Sequence, residues 1–146
     1  NQRRNMELKD YGRQPFAVDL EEFTASNNNF RTAVWTGEEM QMTLMSIEVG
    51  GDIGAEIHSE NDQFLRIEAG KGRIQIGESE ENITFEKDVE ADFGIFIPKG
   101  KWHNLINTGN QPIKLYSIYA PAHHPFGTVH ATRAEADEAE EHEHNH

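Results

Sequence analysis

Short apolar stretches, each closed by turn residues, fill the middle of this chain and constrain its fold more than any other feature. They are Phe30–Thr36, Met40–Val49, Gly54–Glu60, Gln63–Glu68, Arg73–Ile76, Ile83–Val89, Phe93–Ile97, Lys101–Ile106 and Ile113–Tyr119. They recur at the roughly 8–12-residue spacing that marks sandwiches and barrels of short strands. Arg73-Ile74-Gln75-Ile76 alternates polar and apolar residues, the period of a strand with one wet face. Phe93–Ile97 is apolar throughout and predicts a strand buried on both faces. Between the stretches stand Gly50-Gly51-Asp52, Gly70-Lys71-Gly72 and Thr108-Gly109-Asn110, which read as turns, the second as a hairpin rather than a phosphate loop. The expected fold class is all-β, without an internal repeat of fixed period.

Composition removes whole classes of function. The chain has 146 residues and no cysteine, so a disulfide scaffold, a thiolate metal site and a cysteine nucleophile are excluded. Acids outnumber bases 26 to 13, a net charge of −13. A nucleic-acid partner needs clustered Lys and Arg, so none is expected. No apolar run approaches the ~20 residues of a membrane span, and nothing near the N-terminus reads as a secretory segment. A cytoplasmic protein without a membrane partner is expected, and the sequon Asn82-Ile83-Thr84 is then chance spacing.

The two ends differ from the middle. Asn1–Asn5 reads as an appended remnant ahead of a natural start at Met6. From Ala131 to His146 there are six acids and one base, Arg133, so this tail carries −5. Thr132-Arg133-Ala134-Glu135 is a capping box opening an Ala/Glu-rich segment. With no apolar stripe, that segment predicts a solvated short helix or a disordered acidic end. The organisation is then an N-terminal arm over 1–29, a barrel over 30–120, a loop over 121–131 and an acidic, His-rich tail over 132–146.

Two segments carry chemistry. In the first, His58 and Glu60 lie two apart and would share one face of a strand, and Gln63 opens the next strand. An imidazole and a carboxylate on one wall can serve a metal; an exposed polar strand end has the same pattern. In the second, Pro98 and Gly100 make a turn and His103 enters a strand beside Trp102, either as a ligand or as a core histidine.

Taken together, the segments resemble the two motifs of the cupin superfamily. Gly94, Pro98, Gly100, His103 and Asn107 match the second motif; His58 and Gly70, with the gap of six residues before it, match the first. Glu60 stands where many cupins have a second histidine, and Gln63 where many have glutamate. The resemblance implies a single double-stranded β-helix, a jelly-roll-like barrel, with one divalent metal ion near one end of its interior. It implies His58, Glu60, Gln63 and His103 as ligands. Such a nitrogen and oxygen set suits Zn, Fe, Mn, Ni or Co. It also implies a homodimer, with an arm strand around Phe16–Phe23 crossing to the partner.

Phe30–Gly37, Met42–Ser46 and Tyr116–His130 look like a narrower group of small bacterial cupins, the mannose-6-phosphate isomerase-like group. Three functions follow as expectations. One is a metal-dependent enzyme acting on a small polar metabolite such as a sugar or sugar phosphate, isomerase- or epimerase-like. The others are a non-haem Fe(II) or Mn dioxygenase, and a metal-assisted small-molecule binding protein without turnover. Trp35, Met42, Leu44, Phe96, Leu105 and Tyr116 read as core or mouth residues. Arg31 could hold an anionic substrate, whereas Arg66 points outward by alternation from Gln63. Tyr119, His123, His124 and His130 form either an ordered surface loop or a lid with a proton-carrying group. His142, His144 and His146 could chelate a metal loosely.

Overall fold

The structure is a computed structural model that describes residues 6–144, without the side chains of 141–144. The remnant read at Asn1–Asn5 and the side chains of His142, His144 and His146 lie outside the described residues.

The strands are β1 (Arg31–Thr36), β2 (Gln41–Ile47), β3 (Glu56–Ile57), β4 (Asp62–Ala69), β5 (Lys71–Ser79), β6 (Asn82–Glu90), β7 (Gly94–Ile97), β8 (Trp102–Asn107), β9 (Ile113–Ala120) and β10 (Val129–His130). Helix α1 (Leu20–Ala25) precedes them and helix α2 (Arg133–His144) follows. The strands make two antiparallel sheets, ordered β10-β1-β2-β9-β4-β7 and β3-β8-β5-β6. This is the all-β barrel that the turn spacing predicts.

Alternation along the strands sorts their side chains into two apolar clusters. Met45 and Ile47 of β2, Leu65 and Ile67 of β4, Ile74 and Ile76 of β5, and Ile113 and Leu115 of β9 face inward and fill the core. On the other face of the larger sheet, Val34, Met42, Leu44 and Tyr116 pack with Trp35, Phe64 and Ile118 under Leu8, Tyr11, Phe16, Val18, Leu20 and Phe23. The N-terminal arm therefore covers its own barrel, and residues 16–23 form no strand. Asp19 caps α1 by accepting from the Glu22 N–H at 3.1 Å, with Glu21 and Glu22 in the first turn. That capping chemistry gives a helix where the resemblance implies a strand.

Three further expectations change. Strand β7 is the edge of the larger sheet and buries one face alone; Ile95 and Ile97 point inward and Phe96 is 76% exposed. Phe96 thus lines no mouth, and Trp35, Met42, Leu44 and Tyr116 belong to the arm-covered cluster. Gly70-Lys71-Gly72 is no hairpin, because β4 and β5 lie in different sheets and Gly70 carries the chain between them. Gly70 has a φ of +97°, and a Cβ there would meet the Ile113 Cα at 2.9 Å, so glycine is the residue that fits.

Gly77 sits at an irregularity in the β5–β6 register. A Cβ there would fall 2.1 Å from the Asn82 carbonyl oxygen and 2.7 Å from the Ile83 Cα. Both are backbone atoms and cannot swing aside. Gly77→Ala should therefore cost about 2–3 kcal/mol, read as a lower urea midpoint at unchanged m-value. A midpoint equal to wild type would show that the ribbon yields freely.

Candidate metal centre

The site begins with the shortest strand of its sheet. Glu56 of β3 lies directly opposite His103 of β8, so their side chains share a face. His58 follows Glu56 by two residues. The Glu56 Oε1 is 3.0 Å from His58 Nε2 and 3.8 Å from His103 Nε2. One ligand atom from each of the three lies within 4.8 Å of the others. His58 and His103 are buried, and only 10% of the Glu56 side chain is exposed.

His103 Nδ1 donates to the Lys101 carbonyl at 3.2 Å. The acceptor is a carbonyl, so Nδ1 carries the proton and Nε2 keeps its lone pair. Nε2 is buried without a hydrogen-bond partner and faces Glu56. A histidine held by one nitrogen with the other free is the usual preparation of a metal ligand. Gln63 is also buried, in phase with the inward-facing Leu65 and Ile67. Its Nε2 donates to Ser117 Oγ at 2.7 Å, which leaves its carbonyl oxygen unpartnered. These nitrogen and oxygen donors fit a divalent transition metal.

Glu60 lies apart from the other expected ligands. For His58 and Glu60 to share one face, the strand must run to residue 60, but β3 ends at Ile57 and residue 60 lies exposed in a bend. Among the described residues, Glu56 supplies the carboxylate of the cluster instead. The alternation of a strand holds on the other side of His58: counting back two residues reaches Glu56 on the same face.

The electrostatics suit this assignment. Burial alone would raise the Glu56 carboxyl, but the His58 hydrogen bond and the charges of Arg31, His58 and His103 outweigh it and hold it at about 2. Burial chiefly holds the His103 imidazole below its ordinary value, so it is neutral at pH 7. Arg31, 1% exposed, does not reach solvent. Its guanidinium lies 3.7 Å from Glu56 Oε2 and donates to His130 Nδ1 at 3.2 Å. Arg66 points outward as expected, toward Asp92 at 3.3 Å and Glu68 at 3.9 Å.

The loop after β9 is pinned rather than loose. Gln41 Oε1 accepts from the backbone N–H groups of His123 at 3.1 Å and His124 at 2.9 Å, and its Nε2 donates to the His124 carbonyl at 2.8 Å. This clamp sets the His123 ring 4.2 Å from the His58 ring, centroid to centroid. His124 turns inward, its Nε2 3.4 Å from the Tyr119 hydroxyl. Burial first, then the Arg31 charge, lowers His124 to about 2; burial and His58 lower His123 to about 4.

A pH dependence follows. Unfolding lets His124 take up a proton near pH 6.5, which the folded protein excludes until about 2. The unfolded state then binds more protons, and stability falls as pH drops below 6.5. Glu140, raised to about 7 by burial and Glu56, acts in the opposite sense between 4.5 and 7. In metal-free protein, the loss of stability from pH 7 to pH 5 should be smaller in His124→Asn than in wild type. An equal loss in both would sink this assignment.

A small antiparallel barrel with a histidine–carboxylate cluster on the inner face of its walls is the architecture that defines this molecule. The Cupin domain family matches residues 43–119, and the chain belongs to that family. An uncharacterized protein of Bacillus subtilis (strain 168), YrkC, is 56% identical over 138 residues, covering 94% of this chain and 74% of its own. An uncharacterized protein of Acanthamoeba polyphaga mimivirus, L612, is 36% identical over 124 residues, with 84% and 76% covered. The crystal structure of BH2720 from Bacillus halodurans aligns at 55% identity and a TM-score of 0.88, over 89% of this chain and 98% of that one.

Among the described residues no helix is long and apolar enough to cross a membrane.

Proposed function

We propose that this chain is a metal-dependent cupin that binds one divalent ion at Glu56, His58 and His103, with Gln63 beside them, and acts on a small polar metabolite such as a sugar or sugar phosphate. The observation that carries this reading is the convergence of three donor atoms, two of them on buried histidines, within 4.8 Å of one another. When bound, such an ion supplies Lewis acidity toward the vicinal oxygens of a polyol or sugar. The chain supplies the rest. Arg31 and the two histidines keep Glu56 ionised, and the Lys101 carbonyl fixes His103 with Nε2 free. His123, exposed and packed against His58, is held neutral at pH 7 chiefly by burial, so it adds no positive charge beside the ion.

A second reading has its own support. Two histidines and one carboxylate are the set that suits non-haem Fe(II) oxygen chemistry with open positions. The two readings separate by assay. Metal analysis of the purified protein, with mass spectrometry of any ligand that co-purifies, comes first. NMR of aldose and ketose phosphates with the Zn- or Mn-loaded protein then tests interconversion, and an oxygen electrode with the Fe(II)-loaded protein tests dioxygenation. Interconversion without oxygen uptake supports the isomerase-like reading; oxygen uptake without it supports the second. Purified protein that carries no metal and takes up none would contradict both.

A further inference from the structure

Strand β6 is a free edge of the smaller sheet, and its two faces differ. On the outer face Glu86 and Asp88 pair with Arg73 at 3.0 and 3.1 Å. The inner face carries Phe85, Lys87 and Val89, opposite Ile76, Ile74 and Gly72 of β5. Directly opposed residues share a face, and Ile74, Ile76 and Val89 belong to the core. Val89 is 4% exposed, whereas Phe85 is 48% exposed. An aromatic ring that shares the core's face and still meets solvent marks an opening in the barrel wall.

The register ties this opening to the metal centre. Ile76 stands opposite Phe85 on one side and opposite His103 on the other, and His103 stands opposite Glu56. Glu56, His103, Ile76 and Phe85 therefore form one row across the inner face of the smaller sheet. Neighbouring strands lie about 4.8 Å apart, so Phe85 stands roughly 10 Å from His103 along that row, with Ile76 as the floor between them. Lys87 lies on the same face two residues on, roughly 7 Å along the strand. It is exposed and makes no ion pair among the described residues.

We propose that the inner face of β6 is the substrate-reading wall of the metal centre: Phe85 packs against the carbon face of a sugar ring, and Lys87 pairs with a phosphate at the far end of that sugar. This inference rests on the sugar reading above and narrows it to phosphorylated sugars. A sugar ring turns polarised C–H groups to one face, and these suit the negative face of an aromatic ring. Packed so over Ile76, the ring keeps its vicinal oxygens toward the His103 end of the row. Small-molecule sites combine apolar and aromatic walls with a few placed charges. Lys87 is the cation on this face of β6, because Arg73 is tied to Glu86 and Asp88 on the opposite one.

The test is titration calorimetry of the Zn²⁺-loaded full chain with aldohexose and ketohexose 6-phosphates and with the same sugars lacking phosphate, together with saturation-transfer NMR from the protein's aromatic protons. Wild type should bind its best phosphorylated sugar about tenfold or more tighter than the unphosphorylated form, the usual worth of a contact to a charged group. Lys87→Met should remove that preference and leave the affinity for the free sugar unchanged. Phe85→Ala should weaken both forms about fivefold and cut saturation transfer to the sugar C–H protons. Phe85→Tyr should keep both. Zn²⁺ affinity should stay at the wild-type value in all three variants, since Phe85 and Lys87 lie outside the ligand cluster. A phosphate preference that survives Lys87→Met, or sugar binding that Phe85→Ala leaves untouched, would overturn the wall alone. Self-association of Lys87→Met with the preference intact would mark the lysine as an edge guard instead, and overturn its role. A chain that binds Zn²⁺ and none of these sugars would overturn the sugar reading, and the wall with it.

Discussion

His103→Ala should weaken divalent-metal binding on the order of 100-fold or more, since loss of even a supporting contact costs roughly 10–100-fold. His103 has no alternative role that would keep the ion. Its Nε2 is the buried, unpartnered donor opposite Glu56, and its Nδ1 is already committed to the Lys101 carbonyl. Glu56→Gln should show a comparable loss, because it removes the one carboxylate of the cluster. Glu60→Gln should bind as wild type does, because residue 60 is exposed and outside the cluster. Titration calorimetry with Zn²⁺ or Mn²⁺ on the three variants reads the difference. A loss in Glu60→Gln with none in Glu56→Gln would return the site to the arrangement expected from the motif.

Arg31→Met should destabilise the metal-free protein by about 3–5 kcal/mol, the cost of removing one partner of a buried charge pair. The methionine fits the volume but leaves Glu56 without its guanidinium and takes the donor from His130. The double variant Arg31→Met, Glu56→Gln should recover much of that loss, because the stranded charge is gone. Saturating metal should recover part of it in the single variant, by putting another positive charge beside Glu56 and by binding only the folded state. Urea denaturation with and without chelator measures all three. A single variant as stable as wild type in chelator would show that Arg31 does not hold the carboxylate.

Much of this architecture is legible in the chain itself. Turn residues at regular intervals mark nine strands, and in β5 the alternation Arg73-Ile74-Gln75-Ile76 follows its one buried face. His103 is legible for the same reason: Pro98 and Gly100 fix where its strand begins. What misleads does so locally. The stretch Gly54–Glu60 looks like a full strand, yet only Glu56–Ile57 pairs. Lost pairing from residue 58 to residue 60 leaves Glu60 off the face that Glu56 and His58 share, because side-chain direction depends on where extension stops. The arm departs for another reason: its strand is implied by the resemblance alone, and Asp19 caps a helix there instead. Arg31 reads in the sequence as a cation that could hold an anionic substrate. Its burial depends on Glu56 and His130, which the sequence places 25 and 99 positions away and only the fold brings near.

The most direct test is an anomalous difference map from crystals of the metal-loaded protein, measured at the absorption edge of the metal. The account predicts one strong peak in the barrel, within bonding distance of Glu56 Oε1 and the Nε2 atoms of His58 and His103. Crystals soaked to saturation that show no peak there, or one held by Glu60, would contradict it.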